Sequence, residues 1–186
     1  MDFPTTATLE AGLVDVRRSP RDVGTLELIV RRPAPGAREV LETGELATEC
    51  GLVGDTWNLR GSRRSADGGP HPDMQLNIMN ARAAALVAGT PERRALAGDQ
   101  LYLDLDLTEA NLPAGTRLAI GTAVIEVTDQ PHTGCAQFRQ RFGPDASRLV
   151  NSEAGKELRL RGINAKVVVA GTIARGDPVT KLGTEV

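Results

Sequence analysis

Apolar and polar positions alternate along most of this chain, and only a few stretches break the period. Residues 24–30 alternate and are closed by the turn formers Pro33, Pro35 and Gly36, which predicts a strand. The same pattern recurs at 74–79, 100–107, 117–120, 123–128, 163–169 and 178–182, with Gly121 bending the pair in the middle. Residues 7–16 are read as a first strand ending at the Arg17-Arg18-Ser19-Pro20 turn. Residues 40–50 are read as a further strand or hairpin bent at Gly44. Elsewhere the period becomes helical. Asn80 as cap and Gly89 as stop frame one helix, and Thr90 with Pro91 opens another. Residues 135–142 and 146–150 also have helical character, and the Gly/Ser/Pro-rich stretch 61–72 is loop.

Many short strands with few helices predict a mainly β protein: one closed or nearly closed, mostly antiparallel β-barrel with short peripheral helices, spanning residues 1–186. Helices do not alternate regularly with strands, which argues against a parallel α/β sheet. Leu101, Leu103, Val124, Ile125, Val167 and Val169 are the expected packing residues of the barrel.

Composition narrows the function classes. One Trp, one Tyr and three Phe leave the core to aliphatic side chains. The net charge of −2, with both signs interspersed, excludes a general nucleic-acid binder. No apolar run approaches the roughly 20 residues that cross a bilayer, so no membrane partner is expected. Two cysteines without a secretory leader indicate free thiols in a reducing compartment, the cytoplasm.

Cys135 is the candidate centre of chemistry. It stands just before a helix, between His132 and Arg139, which could supply positive charge, while Gly134 would let a large ligand approach the backbone. The competing reading is a small buried hydrophobe. Cys50, beside apolar residues at the end of a strand, is read as packed core. Arg60, Arg63 and Arg64 lie in a loop whose amides and guanidinium forks suit a phosphate, or they simply solvate it. His71, His132 and the two cysteines are the inventory for a zinc site, but their spacing matches no finger or ribbon.

An ordered motif series then carries a resemblance. It runs from Gly51-Leu-Val-Gly-Asp55 through Gly98-Asp-Gln-Leu101 to Leu112-Pro-Ala-Gly-Thr-Arg-Leu-Ala-Ile-Gly121. It continues with Ala123-Val-Ile-Glu-Val-Thr128, Pro131-His-Thr-Gly-Cys135, Arg161-Gly-Ile-Asn-Ala-Lys-Val167 and Gly176-Asp-Pro-Val179. In order and spacing this resembles the MOSC domain, the C-terminal domain of molybdenum-cofactor sulfurases, which also occurs as free-standing bacterial proteins. The family often has Glu-Asn and Pro-Cys where this chain has Asp99-Gln100 and Gly134-Cys135, and a His where Thr56, Trp57 and Asn58 follow Asp55.

The resemblance implies a barrel with a cleft around one cysteine that ligates molybdenum in a pterin cofactor or carries sulfur. Some relatives reduce small N-hydroxylated compounds. The positions so implied are Cys135 as metal ligand and catalytic thiolate. Thr133, Gln100, Asp99 and His132 would contact the cofactor, and Arg60, Arg63 and Arg64 would hold its phosphate. The implied partners are a small-molecule substrate and a redox or sulfur-donor protein. Two alternatives stay open: a persulfide carrier using the same cysteine, and a binding module that has lost the cofactor.

Overall fold

The computed structural model describes residues 3–62 and 65–183. The chain opens with helix α1 (Thr6–Val16), not the expected strand. Leu9, Leu13 and Val16 recur at intervals of four and three, the helical spacing, and they are the positions α1 turns to its neighbours. The Thr5 side chain caps its start by accepting from the Thr8 amide.

Eleven strands follow among the described residues: β1 (Val23–Arg31), β2 (Glu39–Leu41), β3 (Thr43–Ala47), β4 (Gly51–Leu52), β5 (Leu76–Asn80), β6 (Leu101–Asp104), β7 (Arg117–Ile120), β8 (Ala123–Val127), β9 (Ile163–Val169), β10 (Gly171–Ala174) and β11 (Pro178–Lys181). Seven close into a barrel in the order β11-β7-β8-β9-β5-β6-β1, with β1 returning to β11 through Val23–Thr180, Gly24–Val179 and Thr25–Pro178. The β2 strand adds to the free end of β1. Residues 40–50 are therefore not one hairpin bent at Gly44. The chain leaves β2 at Glu42, and β3 joins a separate three-stranded sheet with β10 and β4, Gly44 standing opposite Ile173.

Every barrel pairing is antiparallel except β5 with β6. A parallel pair needs a crossover, and helix α2 (Ala81–Ala88) with the 3₁₀ turn Pro91–Ala97 supplies it. The caps are those the sequence indicated: Asn80 accepts from the Ala83 amide, and Gly89 closes α2 in the left-handed region. On the same side lie α3 (Ala136–Asn151), broken at Gly143 ahead of Pro144, and α4 (Glu153–Glu157). No helix among the described residues is long and apolar enough to cross a membrane.

Alternation builds two cores from the same strands. Leu76, Ile78, Leu101, Leu103, Ile125 and Val167 fill the barrel. Met79 and Tyr102, between them in sequence, face outward and are covered by Leu9, Ala84, Val87, Phe138 and Phe142 of the helices. Two expected packing residues fall short of the core: Val124 is half-buried and Val169 is 50 % exposed.

Candidate functional site

A buried polar floor lies under the chain at residues 97–100. Arg32, the residue after β1, meets Asp55 in a forked pair: Nη2 to Oδ1 at 2.7 Å and Nε to Oδ2 at 2.8 Å. Asp55 also accepts from the amides of Arg32 and Trp57, the second of which caps its own loop. The second Arg32 fork donates to the Gly98 carbonyl and to Asn77 Oδ1. Gln100 donates to the Gln75 carbonyl at 2.9 Å and accepts from the Asn77 amide at 2.8 Å. Asn77 passes the network on to Asn164 at 2.6 Å.

Asp99 anchors the other half. Arg161 Nη1 lies 2.9 and 2.7 Å from its two oxygens, and His132 Nε2 lies 2.8 Å from Oδ1. Burial alone would raise the Asp99 carboxyl, but Arg161 and His132 outweigh it and hold it at about 2. Burial and the Arg161 charge push His132 below its usual value, against the pull of Asp99. The ring is thus mainly neutral at pH 7 and does not supply the positive charge expected beside Cys135. The Arg161 guanidinium lies 5.2 Å from the Phe138 ring centroid of α3.

Cys135 is exposed at the N-cap of α3, with no side-chain capping bond. The buried-hydrophobe reading is therefore excluded. The break at Gly143 leaves a first helical segment of barely two turns behind the thiol, so the helix dipole adds little there. Gly134 does not open the backbone to a ligand, because a Cβ there would meet Asn151 and Val150 at 2.8 and 2.9 Å. Its small size lets the loop pack on α3. Cys50 is not core: it is half-buried in the turn between β3 and β4. Burial, Glu49 and Glu45 raise its thiol pKa.

The sequence-derived positions are distributed as follows. Asp99 and Gln100 are wholly buried with their side chains committed to protein partners, so they support the site from beneath instead of touching a ligand. His132 and Thr133 line a cavity of about 360 Å³ together with Asn151, Lys156 and Arg161. Arg60 lines a different cavity of about 180 Å³ with Arg32, Trp57, His71 and Asn77. Arg63 and Arg64 lie outside the described residues.

Sequence reasoning missed Arg32, Arg38, Arg141 and Arg161. Arg38 Nη2 and Arg141 Nη1 stand 3.4 and 3.5 Å from where a Cβ on Gly98 would be. Burial pushes the Arg38 guanidinium down, helped by Arg141 and Arg32; burial and Arg32 do the same to Arg60. Arg32, Arg38 and Arg141 therefore crowd about residue 98, and Arg60 adds its charge beside Arg32. The one available signal was Arg32 itself, a charge directly continuing an apolar strand.

A family model described as the MOSC domain matches residues 54–180. Among solved structures, the YuaD protein from Bacillus subtilis is 17% identical with a TM-score of 0.62, covering 84% of this chain and 94% of that one. YiiM from Escherichia coli is 21% identical with a TM-score of 0.56, covering 87% and 71%. YiiM from Geobacillus stearothermophilus is 16% identical with a TM-score of 0.54, covering 90% and 76%. Likeness at these identities speaks for the fold alone. No curated protein matches the chain significantly.

Proposed function

The chain belongs to the MOSC domain family, a family associated with molybdenum-cofactor binding, and from that premise we propose that it binds a molybdenum-pterin cofactor with Cys135 as the thiolate ligand. The cofactor would serve the two-electron reduction of a small N-hydroxylated compound in the cytoplasm, with a redox protein as electron donor.

The observation that carries this reading is the crowd of guanidinium groups around Gly98, one of them, Arg141, carried by the helix whose N-cap is the exposed thiol. Like charges brought together and partly desolvated cost stability, and an oxyanion among them recovers it through forked, charge-assisted bonds. Among the described residues the Arg38 Nε is buried without a partner, and the absent Cβ of Gly98 leaves the backbone open between Arg38 and Arg141. A phosphate tail fits that cradle. Among the described residues no three His, Cys, Asp or Glu side chains converge on a metal, so a metal here would arrive with its own organic ligand and take one thiolate from the chain.

The cofactor, when bound, supplies the electron exchange; the chain supplies the rest. Cys135 presents an exposed thiol with no capping bond, and the exposed Thr133 hydroxyl is a donor two residues away. Arg60, held by Nη2 on Thr56 Oγ1 at 2.9 Å, and Arg38 would grip the phosphate. Asp99 and Gln100 would keep the floor from shifting.

Protein made in a cofactor-producing host is expected to carry molybdenum and to release a fluorescent oxidised pterin. Cys135→Ser should lose the metal, and Arg38→Ala with Arg60→Ala should lose the pterin as well. A persulfide on Cys135 in metal-free protein would replace this reading with the sulfur carrier. Absence of metal, pterin and persulfide alike would leave a binding module.

A further inference from the structure

The cavity of about 360 Å³ beside His132 sits on three groups whose hydrogen-bonding capacity the protein leaves unspent. Its volume falls at the small end of the roughly 300–1,000 Å³ typical of small-molecule sites. His132 gives Nε2 to Asp99, and because that carboxylate stays ionised, the proton of the neutral ring sits on Nε2. Nδ1 is then an acceptor, and it makes no hydrogen bond among the described residues. Arg161 spends Nη1 on Asp99 and Nη2 on the Ala97 carbonyl at 3.1 Å, while its Nε is buried with no partner among the described residues, in a residue only 7 % exposed. An orphaned donor of this kind is costly, and more so when it is charged. The third group is Lys156 of α4, whose ammonium makes no ion pair among the described residues.

The acceptor and the orphan donor are held rigidly. The chain squeezes past the ring at Gly162, whose φ is +110° and where a Cβ would lie 2.1 Å from the Ile78 carbonyl oxygen and 3.2 Å from His132 Cδ2. A side chain there would run into the Ile78 carbonyl first and press on the imidazole as well. Two further charges line the cavity: Arg159, which is spent on the Leu112 carbonyl at 2.8 Å and on Glu109, and Asp129, an exposed carboxylate that a bound anion must avoid.

We propose that this cavity binds a small phosphate monoester that shares one proton with His132. The acid O–H donates to Nδ1, and the other phosphate oxygens accept from Arg161 Nε and Lys156 Nζ. A phosphate monoester, with its second pKa near 6, is suited to holding one proton jointly with an imidazole. A carboxylate is fully ionised at pH 7 and has no proton to give Nδ1. The inference stands on the cavity alone and does not need a cofactor at Cys135.

The test titrates inorganic phosphate into cofactor-free protein carrying nitrogen-15-labelled histidine, with acetate as the control anion. Phosphate is expected to saturate and to move the His132 Nδ1 resonance, while acetate at equal concentration moves it at least tenfold less. Lys156→Ala, at an exposed position, should weaken phosphate at least tenfold, and Arg38→Ala should leave the His132 response unchanged. An unmoved His132, or equal responses to acetate and phosphate, would overturn the proposal. So would phosphate binding that Arg38→Ala removes and Lys156→Ala does not, since it would put the anion at the arginine cluster instead.

Discussion

The barrel interior and the polar floor beside it are both closed to water, yet they are built from opposite materials. The interior is Leu, Ile, Val and Ala throughout. The floor holds Arg32, Asp55, Asp99, Gln100, Arg161 and Asn164, each less than a tenth exposed. Apolar packing tolerates exchange of one aliphatic for another of similar volume. A buried charge does not, since each polar atom must keep its partner. The floor therefore costs stability to fix geometry beneath residues 97–100, where the arginines gather, and the interior supplies that stability.

Removing a floor charge is the most disruptive single change to expect. Arg32→Ala leaves the Asp55 carboxylate buried without its forked partner, and the expected loss is about 3–5 kcal/mol in urea denaturation at neutral pH. The paired replacement Arg32→Met with Asp55→Leu should recover most of that loss, because two apolar groups of similar size leave no charge behind. If the double variant is as unstable as the single, the amide and carbonyl contacts of this pair matter more than its charges.

An interior deletion comes next. Leu103→Ala, at a wholly buried barrel position, should cost about 3 kcal/mol. The cost should be the same at pH 7 and pH 4, since nothing around it titrates. A marked pH dependence would mean that interior and floor are coupled, and would break the contrast.

The sequence was most legible where one physical rule governed a segment. Asn80 and Gly89 frame α2, Gly121 turns β7 into β8, alternation marks β5 and strict alternation marks β6. It misled where a rule was incomplete. Residues 7–16 contain enough apolar positions to be scanned as a strand, but Leu9, Leu13 and Val16 lie on one helical face. The site was legible only in part. Cys135 was singled out by its neighbours in sequence; it is exposed, but His132 and Gly134 do not play the parts expected of them. Arg32 meets Asp55 across 23 positions and Arg161 meets Asp99 across 62, and no local pattern announces pairings made by barrel closure.

Acid should act on the floor and spare the interior. An unfolded aspartate keeps its ordinary value of 3.8, whereas Asp99 in the fold is held at about 2. Between those values the unfolded chain binds more protons, so stability falls as pH drops, by about 2 kcal/mol in all. His132 adds to the loss higher up, because its folded value is lowered: protonating it begins to favour the unfolded chain once pH falls below about 6.5. Asp99→Asn is expected to be less stable at neutral pH but to lose the limb between pH 4 and pH 2, seen by following denaturation midpoints against pH. A limb that persists in the variant would belong to another carboxylate.

The smallest effects should come from two valines that alternation treats alike. Val167 faces the barrel interior and is 5 % exposed, whereas Val169, two residues on along β9, is 50 % exposed. The register explains the difference. Val167 pairs with Ile125 and Val169 with Val124, so β9 advances two residues while β8 advances one, and the irregularity turns the strand end out of the barrel. Valine to threonine keeps the shape and adds a hydroxyl, which makes it a direct probe of burial. Val167→Thr puts an unpaired hydroxyl into the interior and should cost about 1–2 kcal/mol. Val169→Thr should fall within about 0.5 kcal/mol of the parent in the same urea denaturation. Equal costs at both positions would mean that β9 keeps its alternation to the end in solution, and that the boundary of the interior lies one pair further out than this register places it.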